Sequence, residues 1–355
     1  MSKRTKRNIV RLAIWMVMPL AGIAIFSSCG QKRKQESAKP SKVAAVAKSI
    51  SVTPVAPTTG PDNISLFELT EFTPRKGDTV IFVSLSDVDT LSRKIDSLVI
   101  PDIRDKKPEE TEFLSLKSRY RKRLFKSTGI AETDTLFIYD YANDALLKLP
   151  VGSLSTIASL SPYEDVSEGL HTETSYMLGF EIDRASFSGR SNNYVATSYV
   201  YIGAKNPFTK SQMHPIIWEK TNPGNIPQVS LHTDEKKTLE GFKLSGTYRF
   251  QSDGFHFYLQ EFLKNEESPA ERILVTNNRN ELVHNALYYQ TEDSSPASLS
   301  FKNNNKNELQ QWTGRLLSDK PPVIFGVEDV SFGCPVINFL DKSGHYLDLK
   351  CDNRH

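Results

Sequence analysis

Short runs of β-branched and aromatic residues, separated by turn-forming residues, dominate the chain after about residue 63. TVIFVSL at 79–85 is one such run, and TSYMLGFEI and NNYVATSYVYIG are two more. DTLFIYDY and ALLKLPV flank a turn at 142–144, and the two halves of ERILVTNNRNELVHNALYY at 271–289 flank an Asn-rich centre. Each of these pairs predicts a β-hairpin, so we expect strands over most of this region.

The segment GTYRFQSDGFHFYLQEFL predicts a hairpin with a defined register. With Asp253-Gly254 as a two-residue turn, Phe250 lies opposite Phe257. The same register places Leu244 opposite Leu263. One face of both strands is then apolar, and a shift by one residue would move that face into water.

The segment PEETEFLSLKSRYRKRLFKST at 108–128 differs from these runs, because its apolar residues recur every three or four positions. Pro108 and acidic residues suit a first helical turn, Lys126 suits a last turn, and Gly129 is a common stop signal. The pattern predicts one amphipathic helix over 108–128, with an apolar stripe formed by Phe113, Leu116, Tyr120 and Leu124.

These elements predict a mainly β fold of the α+β type, an antiparallel β-sandwich-like domain over 63–355 with at least one amphipathic helix. A β-propeller is the alternative. Propellers repeat about every 40–50 residues, whereas the expected turns centre near residues 143, 253, 279 and 342. The stretch 206–230 is rich in Pro and Gly and is a candidate seam between sub-domains.

The amino-terminal region has a different pattern. The first eleven residues carry five basic side chains and no acid, and Leu12–Phe26 is uncharged and almost wholly apolar. As a helix, Leu12–Phe26 is about 22 Å long, short of the roughly 30 Å hydrocarbon core of a bilayer. This arrangement is typical of a secretory signal peptide.

The junction Ser27-Ser28-Cys29-Gly30 resembles the lipobox of bacterial lipoprotein precursors, and the resemblance covers only about the first 30 residues. It implies that 1–28 is a signal peptide, and that Cys29 carries a diacylglycerol on its thiol and an acyl chain such as palmitate on its amino group. Phe26 departs from the aliphatic residue that is more common at its position. An ordinary signal peptide with an incidental cysteine and an uncleaved membrane helix are the alternatives.

Residues 29–62 are rich in Ala, Ser, Thr, Pro and Lys and predict a flexible tether between the lipid and the folded domain. The resemblance implies a lipid-anchored protein of the bacterial cell envelope, in the outer membrane rather than the inner one. The tether is basic directly after Cys29, which favours the periplasmic face over the cell surface. Its cations could also contact anionic headgroups; they are Lys32, Arg33, Lys34, Lys39, Lys42 and Lys48.

The charge balance bears on the class of partner. The chain has 44 basic residues, five of them in 1–28, so 39 remain against 42 acidic residues in the processed chain, a net charge of −3. This removes the main compositional argument for nucleic-acid binding, and we expect no nucleic-acid partner.

The carboxy-terminal segment CPVINFLDKSGHYLDLKC predicts a hairpin closed by a disulfide. With a four-residue loop at 341–344, Val336 lies opposite Leu349 and Cys334 lies opposite Cys351. Cysteines held at this spacing are close to disulfide geometry. A metal site that includes His355 and a reactive redox pair are the alternatives.

Sequence motifs for catalysis or cofactor binding are missing: HExxH, GxSxG, GxGxxG and GxxxxGK[ST] do not occur. Asp87 and Asp89 resemble the start of a calcium loop without its glycine and closing glutamate. We therefore expect no cofactor, metal or catalytic residue, although a carboxylate pair that meets only in the fold stays open. One basic run is either a solvated face or a patch for an anionic partner; it comprises Lys117, Arg119, Arg121, Lys122, Arg123 and Lys126.

These observations predict a lipid-anchored cell-envelope protein that acts as a binding or structural subunit and does not catalyse a reaction. Its expected partners are the membrane, through the lipid, and envelope proteins or glycans. An envelope hydrolase acting on glycan or peptide, and a solute-binding or sensor lipoprotein, are the alternatives.

Overall fold

The structure is a computed structural model that describes residues 64–73, 79–89, 98–168, 171–190, 193–264, 268–304 and 308–353. The predicted signal peptide 1–28, the tether 29–62 with Cys29, and His355 lie outside the described residues. Thr59–His355 forms one compact unit. Among the described residues, no helix has the length and apolar character needed to cross a membrane.

The fold is mainly β, as the sequence predicts, and its strands form several antiparallel sheets. In the described ranges, the first strands and the three α-helices are β1 (Leu66–Glu68), β2 (Thr70–Phe72), β3 (Val80–Ser84), α1 (Pro108–Thr111), β4 (Phe113–Ser115), α2 (Arg119–Thr128), β5 (Thr135–Asp140), β6 (Ala145–Pro150), β7 (Ser155–Leu160), β8 (Tyr176–Ile182), β9 (Ser198–Gly203), β10 (Met213–Pro215), β11 (Glu219–Lys220) and α3 (Thr233–Thr238). The remaining strands are β12 (Lys243–Ser252), β13 (Phe255–Lys264), β14 (Ser268–Asn277), β15 (Leu282–Tyr289), β16 (Ser294–Pro296), β17 (Trp312–Gly314), β18 (Val323–Phe325), β19 (Glu328–Val330), β20 (Val336–Phe339) and β21 (Tyr346–Lys350).

Three larger sheets organise the fold. A nine-stranded sheet has the order β10-β17-β18-β20-β21-β1-β9-β5-β6, a five-stranded sheet has the order β2-β3-β8-β7-β4, and a second five-stranded sheet has the order β11-β12-β13-β14-β15. The pairing is antiparallel except between β1 and β21. The sheets include a half-barrel, and the described strands do not form a closed propeller.

Hydrophobic cores lie between these sheets. Leu136 of β5 packs in one core with Ile81 and Phe180 of the β2–β4 sheet, which gives the predicted sandwich-like layering. The opposite face of β5 contributes Phe137 to a second core, within the nine-stranded sheet. A third core joins Phe257 of β13 to the nine-stranded sheet. The stretch 206–230 contains β10 of the nine-stranded sheet and β11 of another sheet, and a sub-domain boundary there stays a prediction.

The hairpin at Asp253-Gly254 confirms the predicted register close to the turn, where Phe250 pairs with Phe257. Farther from the turn, Leu244 pairs with Phe262 rather than with Leu263, because a bulge lies between Leu244 and Gly246. A bulge adds one residue to one strand and shifts the pairing beyond it.

The single helix predicted over 108–128 is wrong. Only 119–128 forms a long helix, while 113–115 forms strand β4 and pairs with β7. Leu114 and Leu116 are both buried, so the segment alternates with the period of a strand before the helix starts. Ser118 has a φ of 49° at the junction, which breaks the helical path, and Gly129 ends the helix with a φ of 73° as expected.

The carboxy-terminal disulfide is confirmed, and its hairpin register is shifted by one residue. Cys334 and Cys351 are bonded, with their Cα atoms 5.6 Å apart. Val336 pairs with Asp348 rather than with Leu349, because the last paired residues, Asn338 and Tyr346, enclose an odd number of residues (339–345), whereas a four-residue loop encloses an even number. The disulfide lies just beyond the regular pairing and closes the open end of the hairpin.

Candidate functional site

The predicted basic patch lies on and just before α2, and its six cations have two different environments. Arg121 and Arg123 are partly buried, whereas the other four side chains are exposed. Leu124 and Phe125 of the same helix point into the core. The basic run is therefore not one continuous surface.

Arg121 is bonded to neighbouring segments of the same domain. Its Nε and Nη2 donate to the two carboxylate oxygens of Glu132 at 2.8 and 2.6 Å, and its guanidinium also donates to the carbonyl oxygens of Val151 and Leu154. The hydrogen bonds from Arg121 lower the pKa of Glu132 below its ordinary value. Arg121 thus holds α2 against the turn between β6 and β7.

Arg123 pairs with a buried acid. Its Nη1 donates to Oδ2 of Asp89 at 2.5 Å, and the hydroxyl of Ser127 donates to the other oxygen of the same carboxylate. The side chain of Asp89 is only 2% exposed and that of Arg123 only 11%. Asp89, which resembles a calcium ligand in the sequence, is instead the internal counter-ion of the helix.

Four cations remain on the surface, and we call them the basic face: Lys117, Arg119, Lys122 and Lys126. Arg119, Lys122 and Lys126 are three and four residues apart and so share one side of α2. The guanidinium of Arg119 lies over the ring of Tyr120, 4.8 Å from its centroid. An anionic partner for this face stays a prediction.

A second candidate site, which the sequence does not reveal, is a cleft of about 550 Å³ beside the five-stranded β2–β4 sheet. Strands β1 and β2 line one part of it, and Ser159 of β7 with Met177 of β8 lines another. The loop at 161–164 and the segment after the carboxy-terminal disulfide complete it. We call it the acidic cleft.

The lining of the acidic cleft carries one sign of charge. Among the residues that the structure describes, the lining contains no Lys, Arg or His, and its five carboxylates are Glu68, Glu71, Glu112, Glu164 and Asp352. Two basic side chains approach these acids from outside the lining. Nη1 of the exposed Arg184 lies 3.4 Å from Oε1 of Glu71, and Nδ1 of His171 lies 3.7 Å from Oε2 of Glu164. The negative charge therefore exceeds the cationic charge shown around it.

Glu68 is a partly buried acid of the cleft. Burial raises its pKa above the ordinary value, and the nearby charge of Asp87 raises it further. A cation placed next to Glu68 would favour its ionised form. The cleft thus contains a carboxyl group whose pKa depends on the charges placed next to it.

Asp352 is held at the mouth of the acidic cleft by the fold. Its carboxylate accepts a hydrogen bond of 2.6 Å from Ser84, and its backbone N–H donates to Asp87. Its φ of 57° is unusual for a residue other than glycine. Since Asp352 directly follows Cys351, the disulfide helps to fix this wall of the cleft.

Two exposed aromatic side chains accompany the acids. Tyr163 lines the cleft and is 68% exposed, and Phe332, between the lining residues Ser331 and Gly333, is 54% exposed. Large exposed aromatic groups next to a cavity are common at binding surfaces. Together with the carboxylates, they provide a surface that can bind a cation through charge and through ring faces.

A buried carboxyl group lies away from both sites. Glu271 of β14 is directly opposite Glu261 of β13, is 4% exposed, and has an Oε2 atom without a hydrogen-bond partner among the described residues. Burial, and then the charge of Glu261, raises its pKa to about 8. The protonated form is therefore favoured at neutral pH.

The acidic cleft could not be found from sequence spacing, because its five carboxylates lie on separate segments between residues 68 and 352. Within the part of the chain that the structure describes, no group of three His, Cys, Asp or Glu side chains is arranged to hold a metal ion. Comparison with protein families, with curated proteins and with solved structures found no match.

Proposed function

We propose that this protein is a lipid-anchored bacterial envelope protein whose folded domain binds a partner in the acidic cleft without catalysing a reaction. The observation that carries the binding function is the cleft itself: its lining, in the part of the chain that the structure describes, has five carboxylates, no cationic side chain and an exposed Tyr163. A water-exposed cavity with converging polar groups and an aromatic side chain is the usual form of a binding site.

The envelope location rests on the lipobox-like Ser27-Ser28-Cys29-Gly30 junction. More than one acyl chain gives lasting attachment to a bilayer, so a Cys29→Ser variant should leave the membrane fraction or remain unprocessed. Mass spectrometry of the mature amino terminus should find an acylated cysteine. An unmodified amino terminus elsewhere would contradict the proposed anchor.

Binding in the cleft can be tested by photo-crosslinking in bacterial cells that express the full chain. A photoreactive aromatic residue would replace Tyr163, and the matched control would carry it at Tyr346, which is also exposed but lies outside the cleft. We expect a crosslinked adduct from position 163 only, and its loss when Thr73→Trp fills part of the cleft. Equal adducts at both positions, or an adduct that Thr73→Trp does not reduce, would refute the cleft as the binding site.

A hydrolase is the second candidate, and the observation that favours it is the raised pKa of Glu68 in the cleft. A carboxylic acid with a raised pKa is what general-acid catalysis of glycan cleavage requires. In a hydrolase, Glu68→Gln would abolish turnover and preserve binding. Under our proposal the wild-type protein releases its captured ligand unchanged, as mass spectrometry of the released material can determine.

A further inference from the structure

The five-stranded sheet beside the acidic cleft is open between its two edge strands. Within the described residues, β2 pairs only with β3 and β4 pairs only with β7. The two edges approach each other at the rings of Phe72 and Phe113, whose centroids are 6.5 Å apart. The cleft lies beside this contact, with Thr70–Thr73 on the β2 side and Glu112 and Ser159 on the β4–β7 side.

An edge strand presents backbone N–H and C=O groups that an added extended chain can pair with. The residues of β2 and the residue after it line the cleft, so a chain that enters the cleft meets this edge. Backbone pairing would position the chain, and the side chains on one of its faces would then meet the walls of the cleft. The open edge therefore favours a polypeptide over a glycan.

The charge of the walls selects the side chains of such a polypeptide. Five carboxylates line the cleft, and the described part of its lining has no cation. Lys and Arg can pair with these carboxylates and can also contact the face of the exposed Tyr163 ring. Acidic segments would bring like charges together, which opposes binding.

We propose that the acidic cleft binds an extended, lysine- or arginine-rich segment of a partner protein, which adds a strand to the edge of β2 that has no strand partner among the described residues. This inference rests on the proposed binding function and specifies its ligand. Edge pairing supplies orientation, and the carboxylates supply selectivity for positive charge. Because the ion pairs between the bound segment and the carboxylates of the cleft are partly exposed, the affinity for the segment should fall as the salt concentration rises.

Three labelled ten-residue peptides test this on the full-length protein in detergent. One alternates Lys with β-branched residues, the second has Glu in place of Lys, and the third is the Lys peptide with alternate backbone nitrogens methylated. We expect the Lys peptide to bind at least tenfold more tightly than either of the others in fluorescence anisotropy. Equal binding of the Glu peptide would overturn the charge selectivity, and equal binding of the methylated peptide would overturn edge pairing.

A charge reversal in the cleft provides the matched variant. Glu71→Lys should weaken binding of the Lys peptide about tenfold. Glu240 is an exposed acid outside the cleft, and Glu240→Lys should change the affinity for the same peptide less than twofold. Equal effects of both variants would overturn the assignment to the cleft. If the Lys peptide does not bind while position 163 still yields a cleft-dependent adduct, or if that adduct is a neutral glycan, this inference fails and the proposed binding function stands.

Discussion

The basic face of α2 and the acidic cleft differ in how sequence charge becomes surface charge. Six cations are adjacent in the sequence, yet Arg121 and Arg123 are bonded to Glu132 and Asp89, so only four remain on the surface. The five carboxylates of the cleft are far apart in the sequence but converge in the fold. A dense run of charge can thus be partly structural, while a scattered set can form a site.

The difference also concerns shape. The basic face is the convex, solvated side of a ten-residue helix, where exposed charges contribute little to stability and are screened by salt. The acidic cleft is concave and is bounded by four strands, a loop and a disulfide-linked segment, so a ligand placed there loses contact with water on several sides. A given number of charges is therefore expected to discriminate between ligands more strongly in the cleft than on the basic face.

The largest effect on stability is expected from a substitution that removes a buried ion pair of the basic run. Arg123→Ala leaves the carboxylate of Asp89 buried without its cation, and such a loss typically costs about 4 kcal/mol in the free energy of unfolding. Urea denaturation would measure it. The control Lys122→Ala, one residue away on the basic face, should change stability by less than about 0.5 kcal/mol. Similar effects of the two variants would remove the distinction between bonded and solvated cations.

Opening the disulfide is expected to have the next largest effect, and to act on the cleft rather than on the helix. Replacing Cys334 and Cys351 by Ala opens a loop with a sequence separation of 17 and should lower stability by about 3 kcal/mol. Because Cys351 and Asp352 line the cleft, affinity for the Lys peptide should also fall.

Wild-type protein treated with reductant should match the double Ala variant in both unfolding and peptide affinity. A further loss of stability when reductant is added to the double variant would show that the effect does not come from this disulfide.

Glu271 provides an acid that is buried without a cation, in contrast to Asp89. Its pKa of about 8 in the folded protein lies above the ordinary 4.5, so the folded state binds the proton more tightly than the unfolded state. The contribution of this group to the free energy of unfolding is fully present below pH 4.5 and decreases as the pH rises towards 8.

The expected decrease is about 2 kcal/mol between pH 5 and pH 7, measured by urea unfolding across that range. Glu271→Gln should remove this decrease, while Glu240→Gln, an exposed acid, should preserve it. A decrease that persists unchanged in Glu271→Gln would contradict the assignment to this carboxyl group.

Local patterns predicted the features that depend on local chemistry. The turn at Asp253-Gly254 sets the register of its hairpin close to the turn. Cys334 and Cys351 form the expected disulfide, although the strand pairing of their hairpin is shifted by one residue. The prediction of one helix over 108–128 was wrong because Leu116 fits both a helical stripe and an alternating strand. The pairing of β4 with β7 favours the strand in this segment. The acidic cleft depends on long-range sheet pairing and has no local signature.

The central claim is that the acidic cleft, and not the basic face, is the binding site. The most direct test is the affinity of the Lys peptide for the wild-type protein, for Glu71→Lys and for Lys122→Glu under identical salt conditions. We predict an approximately tenfold loss for Glu71→Lys and a change of less than twofold for Lys122→Glu. A Glu71→Lys variant that binds the Lys peptide as tightly as the wild type would contradict the account.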